Sequence, residues 1–186
     1  GSVDGTIRMW DVRQAGCLGI LDPNDVALPE KPGYQSRSNL PQAHQGAVNC
    51  LAFTHDGRYI VSVGQDNALR LWDVLESGSR VPVDFTGVEA VQTSGPAQLG
   101  ISRSDQHLYL PGQLSVGVYS VHTGCLEASL QGHFEAVNAV RCHPSRHLLV
   151  SAGKDCSIVT WAPPEAPPDD YSAPQAGNTD RWSDDE

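Results

Sequence analysis

One spacing constrains this chain more than any other feature. Asp4, Asp66 and Asp155 each precede a tryptophan (Trp10, Trp72, Trp161) by six residues, and in two copies a histidine, His44 or His133, stands 22 residues before the aspartate. Ser62 and Ser151 lie four residues before Asp66 and Asp155. Between Asp66 and Trp72 the residues alternate, with Leu69 and Leu71 inward and Arg70 outward. That pattern predicts a short strand entered through a tight turn, where aspartate is at ease.

The residue types explain the spacing. An indole N–H, a hydroxyl, an imidazole and a carboxylate can satisfy one another as a buried run of hydrogen bonds. The candidate structural chains are His44, Ser62, Asp66 and Trp72 in one copy, and His133, Ser151, Asp155 and Trp161 in the other. Each would lock one small sheet. These features resemble the WD40 repeat, whose period is about 40 to 45 residues. The resemblance implies an all-β WD40 β-propeller, here partial, with about three and a half blades of a seven-bladed ring.

Read in order, residues 1–22 are the end of a blade, with strands over 6–12 and 17–21 about a turn at Gln14-Ala15-Gly16. Residues 23–43 carry Pro23, Pro29, Pro32 and Pro41 with little periodicity and read as an inserted loop. Residues 44–86 are a complete blade, with strands over 47–53, 59–64, 69–74 and 81–85 and an Asp56-Gly57 hairpin turn. Residues 87–131 are a degenerate blade: Tyr119 stands where tryptophan is expected, and Gln113 occupies the aspartate's place six residues earlier. Apolar packing should hold it. Residues 132–162 form a last blade without a fourth strand, and Pro163-Pro164 and Pro167-Pro168 then break any further one. Because residue 1 falls inside a repeat and is not methionine, the chain is expected to be a piece of a longer protein.

Charge excludes several functions. The formal net charge is -10, and residues 163–186 contribute seven carboxylates against Arg181 alone. That acidic, proline-rich tail has too few apolar residues to order itself. No basic stripe is available for phosphates, so direct nucleic-acid binding is not expected. The absence of any apolar run of transmembrane length predicts a soluble chain with no membrane partner. Cys17, Cys50, Cys125, Cys142 and Cys156 are odd in number and contain no C-x-x-C pair, which points to reduced thiols. There is no G-x-S-x-G elbow, P-loop or zinc-ligand pairing among the histidines, so neither catalysis nor a metal or cofactor is expected.

The exposed element that stands out is Trp10-Asp11-Val12-Arg13. Arg13 falls just past a strand end, where its planar guanidinium can make paired hydrogen bonds to a partner. Asp4, Trp10, Asp11 and Arg13 have the spacing of a short box shared by WD40 receptors of cullin-4 type ubiquitin ligases. Further matches run in order: Phe53-Thr54-x-Asp56-Gly57, Val63-Gly64-x-Asp66-Asn67, Val118-Tyr119-x-Val121, Gly132-His133, Asp155-Cys156-x-Ile158, and a tail ending Trp182-Ser183-Asp184-Asp185-Glu186. Together they resemble the C-terminal half of the Cockayne syndrome A family of substrate receptors. The resemblance implies a nuclear, non-catalytic receptor in transcription-coupled nucleotide excision repair. Its partners would be the large damaged-DNA-binding adaptor, the cullin-4 ligase, the Cockayne syndrome B protein and the stalled RNA polymerase II complex. The box residues would be the adaptor contact, with Arg13 foremost. The alternative is a general WD40 interaction scaffold outside the ubiquitin system, for which Arg13 would be dispensable.

Overall fold

The computed structural model describes residues 1–13, 16–24, 40–75, 78–88 and 97–163. Most of the proline-rich insertion, part of the 87–98 connection, residues 14 and 15 and nearly all of the acidic tail lie outside the described residues. Within them the chain is strands and turns, in four antiparallel sheets that follow chain order. The first holds β1 (Arg8–Trp10) and β2 (Cys17–Ile20). The second is the meander β3 (Val48–Phe53), β4 (Tyr59–Gly64), β5 (Leu69–Asp73) and β6 (Ser79–Val81). The third runs β7 (Gly100–Ile101), β8 (His107–Pro111), β9 (Ser115–Ser120) and β10 (Leu126–Gln131). The fourth has three strands, β11 (Val137–Cys142), β12 (Leu149–Gly153) and β13 (Ile158–Trp161).

Apolar residues between the sheets show how they stack. Ile7 and Leu21 of the first region pack with Ile60 and Trp72 of the second sheet. Val61, Val63, Leu69 and Leu71 pack with Leu99, Ile101, Leu108, Leu110 and Tyr119 of the third. Val116 meets Val137, Val140 and Leu149 of the fourth. Each sheet thus buries a face against the next, the arrangement of a partial β-propeller. Backbone bonds join neighbouring blades as well: Gln98 N–H donates to Asn138 O at 2.9 Å, and Val140 N–H donates back to Gln98 O at 2.8 Å.

Two details depart from the sequence reading. Alternation predicts the fourth strand of the second sheet over 81–85, but pairing to β5 occupies Ser79–Val81. Pro82 has no N–H to continue the ladder, and Val83 N–H instead turns back to Val81 O at 2.8 Å. Arg70 lies on the face opposite Leu69 and Leu71, as alternation predicts, but is not open to solvent: its side chain is 18% exposed and its guanidinium donates to Asp66 at 2.8 Å.

The turn after each repeat aspartate uses one left-handed residue: Gly5 (φ 79), Asn67 (φ 56) and Cys156 (φ 60). Glycine and asparagine tolerate this conformation, whereas a cysteine Cβ crowds the following carbonyl at about 1–2 kcal/mol. Cys156→Gly should therefore stabilise the folded chain by about 1 kcal/mol once glycine's extra unfolded-state entropy is counted. A melting temperature that falls on this substitution would contradict the assignment.

Candidate functional site

Two polar chains stand at corresponding places in the second and fourth sheets. In the second, Trp72 Nε1–H donates to Ser62 Oγ at 2.8 Å, and Ser62 Oγ lies 2.7 Å from His44 Nε2. The other imidazole nitrogen, Nδ1, is 2.8 Å from Asp66 Oδ1. In the fourth, Trp161 Nε1–H donates to Ser151 Oγ at 2.9 Å, Oγ is 2.7 Å from His133 Nε2, and His133 Nδ1 is 3.0 Å from Asp155 Oδ2. The aspartates also accept backbone N–H groups, Gln45 at 3.1 Å for Asp66 and Phe134 at 3.0 Å for Asp155.

Donor counting fixes the direction of the bonds. A carboxylate only accepts, so Nδ1 carries the proton facing Asp66, and Nε2 is left to accept from the Ser62 hydroxyl. Arg70 Nη1 also donates to Asp66, at 2.8 Å, and comes close to His44 Nδ1 because both donors converge on one carboxylate. Burial lowers the His44 pKa below its ordinary value against the opposing pull of Asp66. Burial pushes the Asp66 carboxyl up, but the bonds from Arg70, His44 and the Gln45 N–H outweigh it and hold the group at about 2. The Phe134 N–H, followed by the Ser157 hydroxyl, holds Asp155 well below the carboxylate range.

Gly64 and Gly153 open the recurring stretches of the sequence, but sequence reasoning gave them no role, and the geometry requires both. A Cβ on Gly64 would fall 2.6 Å from Asp66 Oδ1 and closer still to His44 Nδ1, and one on Gly153 would fall 2.7 Å from Asp155 Oδ1 and 2.8 Å from His133 Nδ1. Both glycines stand two residues before their aspartate, so an available signal was the shared spacing itself. The third sheet solves the same problem differently. Leu110, paired with Gly117, occupies the place that Ser62 holds opposite Arg70. Tyr119 is buried, its hydroxyl donates to Gly87 O at 2.9 Å, and its ring meets Phe85 edge-on at 6.5 Å.

The residues of the exposed box do not all meet. Asp4 precedes β1 and serves its turn, accepting from Thr6 N at 3.0 Å and Thr6 Oγ1 at 2.7 Å, which holds its carboxyl at about 2. At the other end of β1, Arg13 Nε and Nη2 donate to the two oxygens of Asp11 at 3.0 and 2.8 Å. The Arg13 side chain is 83% exposed and Trp10 is 60% exposed. In the second sheet the matching aspartate, Asp73, is buried and is held by Arg58 from the β3–β4 turn at 3.0 Å. Among the described residues no three His, Cys, Asp or Glu side chains are grouped to hold a metal ion.

The family model described as WD domain, G-beta repeat matches residues 35–73 and 124–162. The chain contains WD40 repeats, and such repeats build protein-interaction surfaces. It is similar to the WD repeat-containing protein ATCSA-1 of Arabidopsis thaliana, 28% identical over 99% of this chain and 54% of that protein. It is also similar to echinoderm microtubule-associated protein-like 2 of Rattus norvegicus, 28% identical over 78% of this chain and 23% of the relative. Transducin beta-like protein 3 of the same organism is 30% identical over 62% of this chain and 12% of its own length. The chain thus spans about half of the first relative and less of the others.

The lowered His44 pKa has a defined sign. Its contribution to stability is complete above the unfolded value of about 6.5 and is lost as pH falls, because the unfolded imidazole takes up a proton more readily than the folded one. The melting-temperature advantage of the chain over its His44→Gln variant should therefore shrink between pH 7 and 5.5, measured by thermal unfolding. An advantage that grows on acidification would contradict the buried neutral imidazole.

Proposed function

We propose that this chain belongs to a WD40 substrate receptor of a cullin-4 type RING ubiquitin ligase acting in the nucleus in transcription-coupled nucleotide excision repair. The observation that carries this reading is the rim at Trp10-Asp11-Val12-Arg13. Asp11 takes two of the five guanidinium N–H groups through Nε and Nη2, which leaves three directed away from it. A fork held this way loses little conformational freedom on meeting a partner carboxylate or backbone carbonyl. Exposed Trp10 and Val12 supply apolar area beside it. The likeness to ATCSA-1 along 99% of the chain supports the same reading.

On this view the protein is a non-catalytic receptor. The large damaged-DNA-binding adaptor docks at the rim, the cullin-4 module transfers ubiquitin, and the Cockayne syndrome B protein and the stalled RNA polymerase II complex are engaged elsewhere on the propeller. A general WD40 scaffold is the rival, favoured by the equal identity to a microtubule-associated protein.

In the intact protein, Arg13→Ala should weaken adaptor binding at least about tenfold, as for a fixed arginine anchor, with no change in melting temperature. Arg13→Lys should not restore binding, because an ammonium cannot reproduce the fork. Calorimetric titration against purified adaptor decides the matter. Equal affinity for wild type and Arg13→Ala, or no adaptor binding by the intact protein, would favour the scaffold.

A further inference from the structure

Cationic side chains are divided unevenly in this sequence. Of the 12 lysines and arginines, only Lys31 and Lys154 are lysine. A guanidinium does not give up its proton in a protein, whereas a lysine amine can lose one and become a nucleophile. Lys31 lies outside the described residues, and Lys154 is the one lysine within them. It is exposed in the turn between β12 and β13, where its N–H donates to Ala136 O at 2.8 Å. Beside it stand Gly153, which has no room for a Cβ, and Asp155, bound to His133 and to the Phe134 N–H. The amine therefore rises from backbone fixed by the polar chain. Its exposure belongs to the position and not to the edge of the last sheet. Gln65 holds the same place in the second sheet, with its N–H on Ala47 O at 2.9 Å, and is exposed although the third sheet stands beside it.

Lys154 and Arg13 belong to opposite ends of the blades. The turns carrying Asp4, Asp66 and Asp155 open β1, β5 and β13, and backbone bonds run along that end, from His44 N–H to Gly5 O at 3.1 Å and from Val137 N–H to Gly112 O at 3.0 Å. Arg13 lies past the other end of β1, the end where Arg58 of the β3–β4 turn holds Asp73. We propose that Lys154 is a ubiquitin acceptor on this chain, modified by the ligase that the chain would serve. The inference rests on the ligase reading, in which the adaptor covers the Arg13 end and leaves the Lys154 end open. The neutral Nε attacks the carbonyl carbon of the thioester that joins the ubiquitin C-terminus to a cysteine of the conjugating enzyme. A C–N isopeptide bond forms, the C–S bond breaks, and the amine's surplus proton passes through solvent to the departing thiolate. Arginine keeps positive charge elsewhere on the chain without offering an amine, which confines self-modification to few positions.

The test assembles the intact protein with purified adaptor and cullin-4 module, adds activating enzyme, conjugating enzyme, ubiquitin and ATP, and maps the diglycine remnants left on lysine by trypsin. The expected result is a remnant on Lys154 that is lost when the adaptor is omitted. In a Lys154→Arg background, Gln65→Lys should restore a remnant, now at position 65. Ser104→Lys, in the β7–β8 turn at the Arg13 end, should not. Both substituted positions are exposed, and the wild-type map decides alone if either variant fails to fold. Conjugates on the adaptor or cullin with Lys154 unmodified would overturn this proposal and leave the ligase reading standing. Equal modification of Lys154 and of Ser104→Lys would do the same, and failure of the intact protein to assemble with the adaptor would overturn both.

Discussion

A buried imidazole without access to water is the constraint on which the second and fourth sheets depend. The side chains of His44 and His133 are fully buried, and an unpaired nitrogen there would cost about 1–3 kcal/mol. Both nitrogens must therefore be matched, one by an aspartate in the turn before the third strand of the sheet and one by a serine on the second strand. The serine in turn takes the indole N–H from the third strand. Four positions from separate parts of a blade are thereby tied into one hydrogen-bonded unit, and the glycine beside the imidazole must remain without a Cβ for the ring to sit there. The third sheet avoids the demand by removing the polar group: Leu110 lies where a serine would, and Tyr119 finds a backbone carbonyl instead.

This economy explains what could be read from sequence. Bonds between side chains at fixed strand positions leave fixed spacings, so the separations of 22 between His and Asp, and 10 between Ser and Trp, coincide with bonded pairs in the structure. Bonds that end on a backbone atom leave no such trace. The acceptor for Tyr119, Gly87 O, has no residue signature. Contacts between blades are equally silent: Asp105 accepts His55 N–H at 2.8 Å and Asp56 N–H at 3.1 Å across a separation that no repeat marks. Arg70 lies on the face that alternation assigns to it, but alternation separates two faces of a strand without saying that both are covered. Pro82 carried the information that ends β6, but strand alternation took precedence over it.

The same structural part, a Trp-Asp strand end, is used in two ways. In the second sheet Asp73 is buried and Arg58 from the neighbouring turn is bound to it, which fastens one blade internally. In the first, Asp11 holds Arg13 at the open rim, and the stabilising carboxylate serves instead to orient an exposed guanidinium. The locked blades supply the rigidity that makes such orientation useful, because a fixed fork presents its remaining donors in one direction.

The most direct test of the account is the tautomer of His44, read from the imidazole nitrogens by ¹⁵N NMR on the intact protein at neutral pH. The hydrogen-bond direction derived for the chain predicts a neutral ring with the proton on Nδ1, facing Asp66, and a bare Nε2 accepting from Ser62. A proton on Nε2, or a doubly protonated ring at neutral pH, would contradict the chain on which the repeat is built.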